Sequence, residues 1–376
     1  MGDLKNVDYE SLDNAKNAFI SAARKTLKFA EKFGFVPDEA LGASANIFCL
    51  DLKPFLDKNI DRLHLTLLPE GLGTADDARP PDMSHEEAHE FWHNIAIKTI
   101  SALTNDAAAG GLQTILVSLY LPSARPEKIF NPDFMQGFLS GIIDGCKEVG
   151  CVYFSGETPQ LIDKINEDAI DIAGALFAIS PAGIKPVTSE ELQEGCSMVF
   201  VESSGPHENG FTVLRKLAKS LSGGYRTKLP SGIEFWRAIN APSRLYTPFI
   251  QDILGSGIQP AAVENVTGHG WQKIMRSGKK LSYVVDHMLP VPEVFQFVRD
   301  KAGFSEKDML KIFNYGVGQV VFTREQSDAQ KVIELAAKHK LKAILAGRVE
   351  SSHTRQVVIN PLKITLDSDE FKLERS

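Results

Sequence analysis

SMVFVESSGPHENGFTVLRKL, residues 197–217, joins an apolar run to a short glycine- and proline-bearing turn and then to an amphipathic repeat. The run SMVFVE predicts a buried strand, and the spacing of apolar residues from Phe211 to Leu221 predicts a helix. Strand, turn and helix together place Ser203, Ser204, His207 and Asn209 at the end of a sheet, where backbone N–H groups at a helix start favour anionic oxygen. Gly205 and Gly210 permit tight or left-handed backbone, Pro206 stiffens the turn, and Asn209 is positioned to cap the helix. Ser, Pro, Asn and Gly also fill ordinary turns. On this string alone a plain turn and a reactive site are both open.

Working outward, 376 residues with 43% hydrophobic and 24% charged content suffice for two domains with separate cores. The net charge of -7 and the lack of a Lys/Arg block argue against a nucleic-acid partner. The acidic, polar N-terminal stretch has no signal-peptide pattern, and no apolar run approaches the roughly 18 to 20 residues that span a bilayer. A cytoplasmic protein with no membrane partner is expected. Cys49, Cys146, Cys151 and Cys196 lack paired spacing, which suggests buried hydrophobes rather than a disulfide framework or zinc site.

Ahead of the central stretch, residues 11–33 carry helical periodicity ended by Gly34, and LHLTLL (63–68) predicts a strand. The loop PEGLGTADDARPPD follows, with Glu70, Asp76, Asp77 and Asp82 among glycines and prolines. Such acid clustering fits a divalent-metal site or a solvated loop. Residues 84–104 open with Ser84 and Glu87 at capping-box spacing and continue as a helix. On it His85, His89 and His93 share a face, consistent with a metal site or, given Glu86, Glu87 and Glu90, a solvated surface.

TNDAAAGGL (104–112) reads as a turn carrying Asp106 before the strand TILVSLYL. A helix, the strand CVYFSGETPQ with Gly156, Glu157 and Thr158 at its end, and the apolar AIDIAGALFAIS complete an alternating α/β pattern. PAGIKPVTSEELQEG predicts a domain boundary near residue 182, giving domains 1–182 and 183–376. The second half repeats the mixed pattern, with a glycine turn at Thr267–Gly270 and VVINPLKITL read as one strand. Gly316 and Gly318 sit among apolar residues and predict close packing rather than a phosphate cradle. No P-loop or GxGxxG motif occurs.

SSGPHENGFTVLRKL, GIIDGCKEVGCVYFSGET, TND with its Gly/Ala turn, APSRLYTPFIQDIL, VTGHGWQKIMR and FNYGVGQVVF occur in an order and spacing that resembles aminoimidazole ribonucleotide synthetase, or phosphoribosylformylglycinamidine cyclo-ligase, the PurM family. The resemblance runs from about Val7 to about Ile359. It implies a two-domain PurM-like α/β fold with mixed sheets, an N-terminal ATP-binding domain forming the core of a homodimer, and a C-terminal α+β domain. It implies ATP and magnesium in a cleft shared by domains and subunits. The implied reaction closes formylglycinamidine ribonucleotide, a ribonucleotide amidine, to aminoimidazole ribonucleotide through a phosphorylated amide. The positions that match are Glu70, Gly71, Gly73, Thr74, Asp106, Gly156, Glu157, Thr158, Thr267 and Gly268 for nucleotide, with Glu70, Asp106 and Glu157 for metal. His207 and Asn209 match the catalytic turn.

The chain departs from that family where Gly-Thr-Lys becomes Gly73-Thr74-Ala75, where Lys98 takes an acidic position, where the N-terminal glycine loop thins to ALGASAN, and where a triple glycine becomes GHG. Another enzyme of the superfamily, or a weakened nucleotide-binding regulatory homologue, is the alternative reading. Selenophosphate synthetase and hydrogenase-maturation chemistry are disfavoured by the lack of an N-terminal cysteine and by the ending LERS, and thiamine-phosphate kinase by the HENG turn.

Overall fold

Residues 9–37, 46–58, 60 and 62–368 are described by a computed structural model. The thinned glycine segment ALGASAN and the final LERS lie largely or wholly outside these residues. Strands β1 (Phe35–Pro37) and β2 (Phe48–Leu50) form a small antiparallel pair. Strands β3 (Leu65–Gly71), β4 (Gln113–Tyr120), β5 (Val152–Glu157) and β6 (Ala173–Ile179) form a four-stranded sheet in the order β3-β6-β4-β5. Its β4–β5 pair is parallel and the others are antiparallel.

From β7 (Ser197–Glu202) onward the chain builds a second sheet with β8 (Ala262–Asn265), β9 (Leu281–Val285), β10 (Val317–Thr323), β11 (Ala343–Ser351), β12 (Gln356–Ile359) and β13 (Ile364–Asp367). The order is β13-β12-β9-β11-β7-β10-β8, mixed because β12 runs parallel to β9. β7 and β10 lie inside it and are buried along nearly their whole length, as strands covered on both faces are.

The long helix His85–Ala109 begins at Ser84, whose side chain accepts the Glu87 backbone N–H while Glu87 reciprocates, the capping box expected from sequence. It runs one and a half turns beyond the expected end. Thr104–Ala109 are helical and carry Asp106 on the helix, because alanines favour continuation until Gly110 and Gly111 break it. Phe91 and Trp92 pack edge-to-face, and Phe91 also meets Trp236 of the second half. Helix Pro132–Val149 lies against the long helix along Gly137, Gly141 and Gly145. A Cβ at Gly141 would fall 2.3 Å from the His93 carbonyl oxygen, so the glycines set how closely the two backbones approach.

The first expected helix is α-helical over Tyr9–Thr26 and tightens into a 3-10 segment, Leu27–Phe33, ended by left-handed Gly34. VVINPLKITL is two antiparallel strands rather than one, since Asn360–Leu362 forms a 3-10 turn around Pro361. Cys146, Cys151 and Cys196 are buried as expected, whereas Cys49 is exposed.

Candidate active site

The turn 203–210 leaves β7 and enters helix Phe211–Ser220. Gly210, not Asn209, is the residue at the helix entry. It is left-handed at φ 81°, and a Cβ there would strike the Phe313 ring at 2.2 Å. Asn209 is therefore released from capping. Its Oδ1 lies 3.4 Å from where a Cβ on Gly268 would stand, so the 203–210 turn and the Thr267–Gly270 loop converge.

His207 sits at φ 55° and is 3% exposed. Its Nε2 accepts the backbone N–H of Ser204 at 3.3 Å and of Arg244 at 3.4 Å. Burial, then the charges of Lys98 and Arg244, hold the imidazole well below its ordinary pKa. The ring packs against Tyr246, and a Cβ on Gly318 would fall 1.8 Å from the Tyr246 hydroxyl and 3.1 Å from His207 Cε1. The ring is buried, with its Nε2 taken up by the Ser204 and Arg244 backbone N–H groups. Close packing at Gly318, expected from its apolar neighbours, is what the strand displays.

Asp106 stands near the end of the long helix, where its Oδ1 accepts Asn265 Nδ2 at 2.7 Å. Asn265 is two residues before Thr267, so this bond carries Asp106 to the base of the same glycine loop. Glu70, on β3, is raised in pKa first by burial and next by Asp106, while Lys273 and Arg276 pull it back. The two carboxylates therefore share a neighbourhood with two cations. A cavity of about 180 Å³ adjoins Asp106 and is also lined by Glu264, Asn265 and Arg276.

Glu157 and Thr158 lie elsewhere. Register runs Glu70–Gly174–Leu119–Gly156 across the sheet, three strand spacings or roughly 14 Å. Glu157 is in the next row, with Tyr120, Ala173 and Gly71, and so projects from the opposite face to Glu70. The expected metal set of Glu70, Asp106 and Glu157 is thus not gathered in one chain, and among the described residues no group of three His, Cys, Asp or Glu could hold a metal. Glu157 and Thr158 instead line a separate open pocket of about 610 Å³ with Lys16 and Lys164. Gly156 is a packing glycine, its Cβ position 2.6 Å from the Tyr153 hydroxyl.

In the loop after β3, Gly71 and Gly73 face open space and Thr74 is half-buried. Ala75 is buried, so a lysine there would have to bury at least its stem. The acids that follow are matched by arginines rather than gathered around a metal. Asp77 pairs with Arg215 at 2.9 Å, and Asp82 with Arg226 at 3.1 Å. Arg79 stacks 4.6 Å over Trp92 and donates to the Asp76 carbonyl. Asp76 is buried, its carboxyl pushed up to about 7 by desolvation and then by Asp77. On the long helix, His85 meets Asp133 at 2.9 Å and His93 meets Asp144 at 3.1 Å, so both bridge to helix Pro132–Val149.

Reading the sequence missed Asn265, Lys273 and Arg276, whose signal was a polar strand end and two basic residues three apart just after a glycine loop. It also missed Arg244 and Tyr246, the first bonded to Glu202 at 2.8 Å and the second donating to the Glu202 carbonyl at 2.7 Å. Among the described residues no helix is long and apolar enough to cross a membrane.

Residues 80–179 match the family described as AIR synthase related protein, N-terminal domain. The chain is 29% identical over 264 residues to a phosphoribosylformylglycinamidine cyclo-ligase of Bacillus licheniformis, covering 68% of this chain and 74% of the relative. It is 26% identical over 290 residues to that of Methanococcus maripaludis C7, covering 77% and 78%. Among solved structures, E. coli HypE, a hydrogenase maturation protein, superposes with a TM-score of 0.63 at 17% identity over 98% of both chains. A HypE in complex with ATP gives 0.59 at 14% identity, covering 90% and 91%. Thiamine-monophosphate kinase from Stenotrophomonas maltophilia gives 0.61 at 15% identity, covering 92% and 97%. These define the class: a mixed α/β protein of PurM-like fold. Within it the chain is similar to the AIR synthase family, by the N-terminal match over residues 80–179 and by its cyclo-ligase relatives.

Proposed function

We propose that this protein is an ATP-dependent enzyme of the PurM superfamily that closes formylglycinamidine ribonucleotide to aminoimidazole ribonucleotide. The observation that carries the reading is the convergence of Asp106, Asn265, the Thr267–Gly268 loop and Asn209 at one place, in a chain similar to cyclo-ligases over two thirds of its length. In this reading the amide oxygen of the substrate takes up the γ-phosphoryl group, which turns a poor leaving group into a good one. The amidine nitrogen then displaces phosphate to close the ring. Such transfers depend chiefly on positioning and charge neutralisation.

Two adjacent carboxylates beside an open glycine loop fit magnesium, which is commonly held by one or two carboxylates together with phosphate oxygens. Glu70 and Asp106 would hold it, and when bound it would neutralise the transferring phosphate. Gly71, Gly73, Thr74 and Thr267–Gly268 offer backbone and hydroxyl donors near the nucleotide. Asn209 orients the amide, and Lys273 and Arg276 balance charge left on Glu70 and Asp106. His207 acts through the turn it braces.

The division is proposed near residue 182, between the two sheets, with the protein a cytoplasmic homodimer. Leu65, Leu67 and Tyr120 share a face of the four-stranded sheet, with Leu67 75% exposed, and the long helix covers the other face. Phe48 of β2 packs on Phe177 of the Leu67 face, while Leu65, Leu67 and Tyr120 of that face stay exposed, and Glu157 ends β5 on the same side; pairing two such faces at this end of the sheet is the proposed route by which one subunit's Glu157 joins the partner's site. A second reading, another superfamily substrate or a weakened nucleotide-binding homologue, is favoured by the buried Ala75 and by Lys98.

Incubation with formylglycinamidine ribonucleotide, ATP and magnesium, with ADP and aminoimidazole ribonucleotide quantified, tests the proposal. Equal yields of both are expected. ADP release without the imidazole points to another substrate, and nucleotide binding without ADP points to the regulatory homologue.

A further inference from the structure

Lys98 lies on the long helix and is 0% exposed. Its Nζ donates at 2.8 Å to the His207 carbonyl and at 2.8 Å to the Ala241 carbonyl. The Phe211 ring, at the first residue of the following helix, is 5.7 Å from the ammonium, and Glu208 supplies the neighbouring negative charge. One buried cation therefore ties together the turn, the helix it enters and the segment that passes behind it.

The two ends of the turn are held by different means. At the β7 end Asn314 accepts from the Ser203 hydroxyl at 2.9 Å and donates to the Gly205 carbonyl at 2.8 Å. The segment behind is held by Asn105, which donates to the Arg244 carbonyl at 2.8 Å and accepts the Tyr246 N–H at 2.9 Å. Both are neutral anchors. His207 is the one non-glycine residue of the turn in left-handed, disfavoured backbone, and its buried carbonyl needs a donor. Lys98 provides that donor.

We infer that Lys98 is a positioning residue for the 203–210 turn, fixing the backbone from which Asn209 is presented. This rests on the reading of that turn as part of the active site. Lys98 makes no claim on substrate itself. Methionine would fill the same space without the N–H donors, so packing and hydrogen bonding can be separated.

The test is amide hydrogen exchange on Lys98→Met, followed residue by residue, with steady-state kinetics alongside. Losing a charged donor to a buried carbonyl should raise exchange at residues 207–210 by about tenfold or more, while β10 stays within about twofold of wild type. In the cyclo-ligase assay kcat should fall more than KM rises. Lys98→Ala should recover protection at the same amides when ethylammonium is added and not when propane, of similar size but without donors, is added, a difference that a packing role would not produce. Wild-type exchange in the turn of Lys98→Met, or loosening spread equally into β10, overturns the inference. If Lys98→Met does not fold, Lys98→Ala decides: ethylammonium-dependent folding supports the inference, and failure regardless of the amine overturns it. Exchange is read without turnover, so a wild-type protein inactive on formylglycinamidine ribonucleotide would sink the proposed reaction and leave this result standing.

Discussion

At Asp76 the physics is a carboxyl group pushed from 3.8 to about 7 by burial and then by Asp77, with Asp171 adding to the rise and Arg79 opposing it. A raised carboxyl favours the folded state while protonated. Its contribution is complete below about pH 3.8 and is lost as pH rises through about 7. Asp76→Asn should therefore melt higher than wild type at pH 8, by an amount corresponding to on the order of 4 kcal/mol at most, with little difference at pH 4. Melting curves at the two pH values check this, and a gap independent of pH contradicts it. Lys98 has the opposite chemistry. Burial lowers it from 10.5 to about 8, against the pull of Glu208, so the cost of its charge is full below pH 8 and fades toward 10.5. His207→Ala should cost about 2–4 kcal/mol, because it removes a buried ring packed on Tyr246 and Gly318. Chemical denaturation measures it; an undiminished midpoint would return the imidazole to a purely catalytic role.

At the scale of elements, glycines decide where backbones meet. Gly318 leaves no room for a methyl group beside the Tyr246 hydroxyl, which donates to Glu202. Gly318→Ala should destabilise by about 3 kcal/mol, and a variant as stable as wild type by denaturant titration would mean that Tyr246 moves freely. Arg226 joins the start of the long helix to the second half through both Glu87 oxygens at 2.9 Å and through Glu234 and Asp82. The partner Glu87 is held at about 2 chiefly by that arginine. Arg226→Ala should cost about 1 kcal/mol, modest because the network is partly exposed, with the loss shrinking as pH falls from about 4.5 and vanishing near 2, where Glu87 protonates in the folded protein. Elements of this kind were legible where local signals agree, as in the Ser84–Glu87 capping box or the apolar β7. They were not legible where neighbours override them. Asp106 is on a helix because three alanines extend it, and Asn209 does not cap because Phe313 demands Gly210 at that place.

For the whole molecule, the residues proposed for a nucleotide site could be named from motifs, but their separation could not. Glu70 and Glu157 both end strands of one sheet, yet strand order and side-chain parity put them on opposite faces. Neither property is written in a single strand. In the proposed homodimer the exposed part of the face carrying Leu67 meets a second copy. Leu67→Glu should shift the protein to monomer in light scattering and abolish ring closure together, whereas an active monomer would remove the need for a shared cleft. The most direct test mixes two variants, Asp106→Asn and Glu157→Gln, each expected to be inactive alone. If one site draws Asp106 from one subunit and Glu157 from the other, random reassortment makes half the dimers mixed, each with one intact site, and about a quarter of wild-type ADP formation should return. A mixture as inactive as its two components would contradict the account.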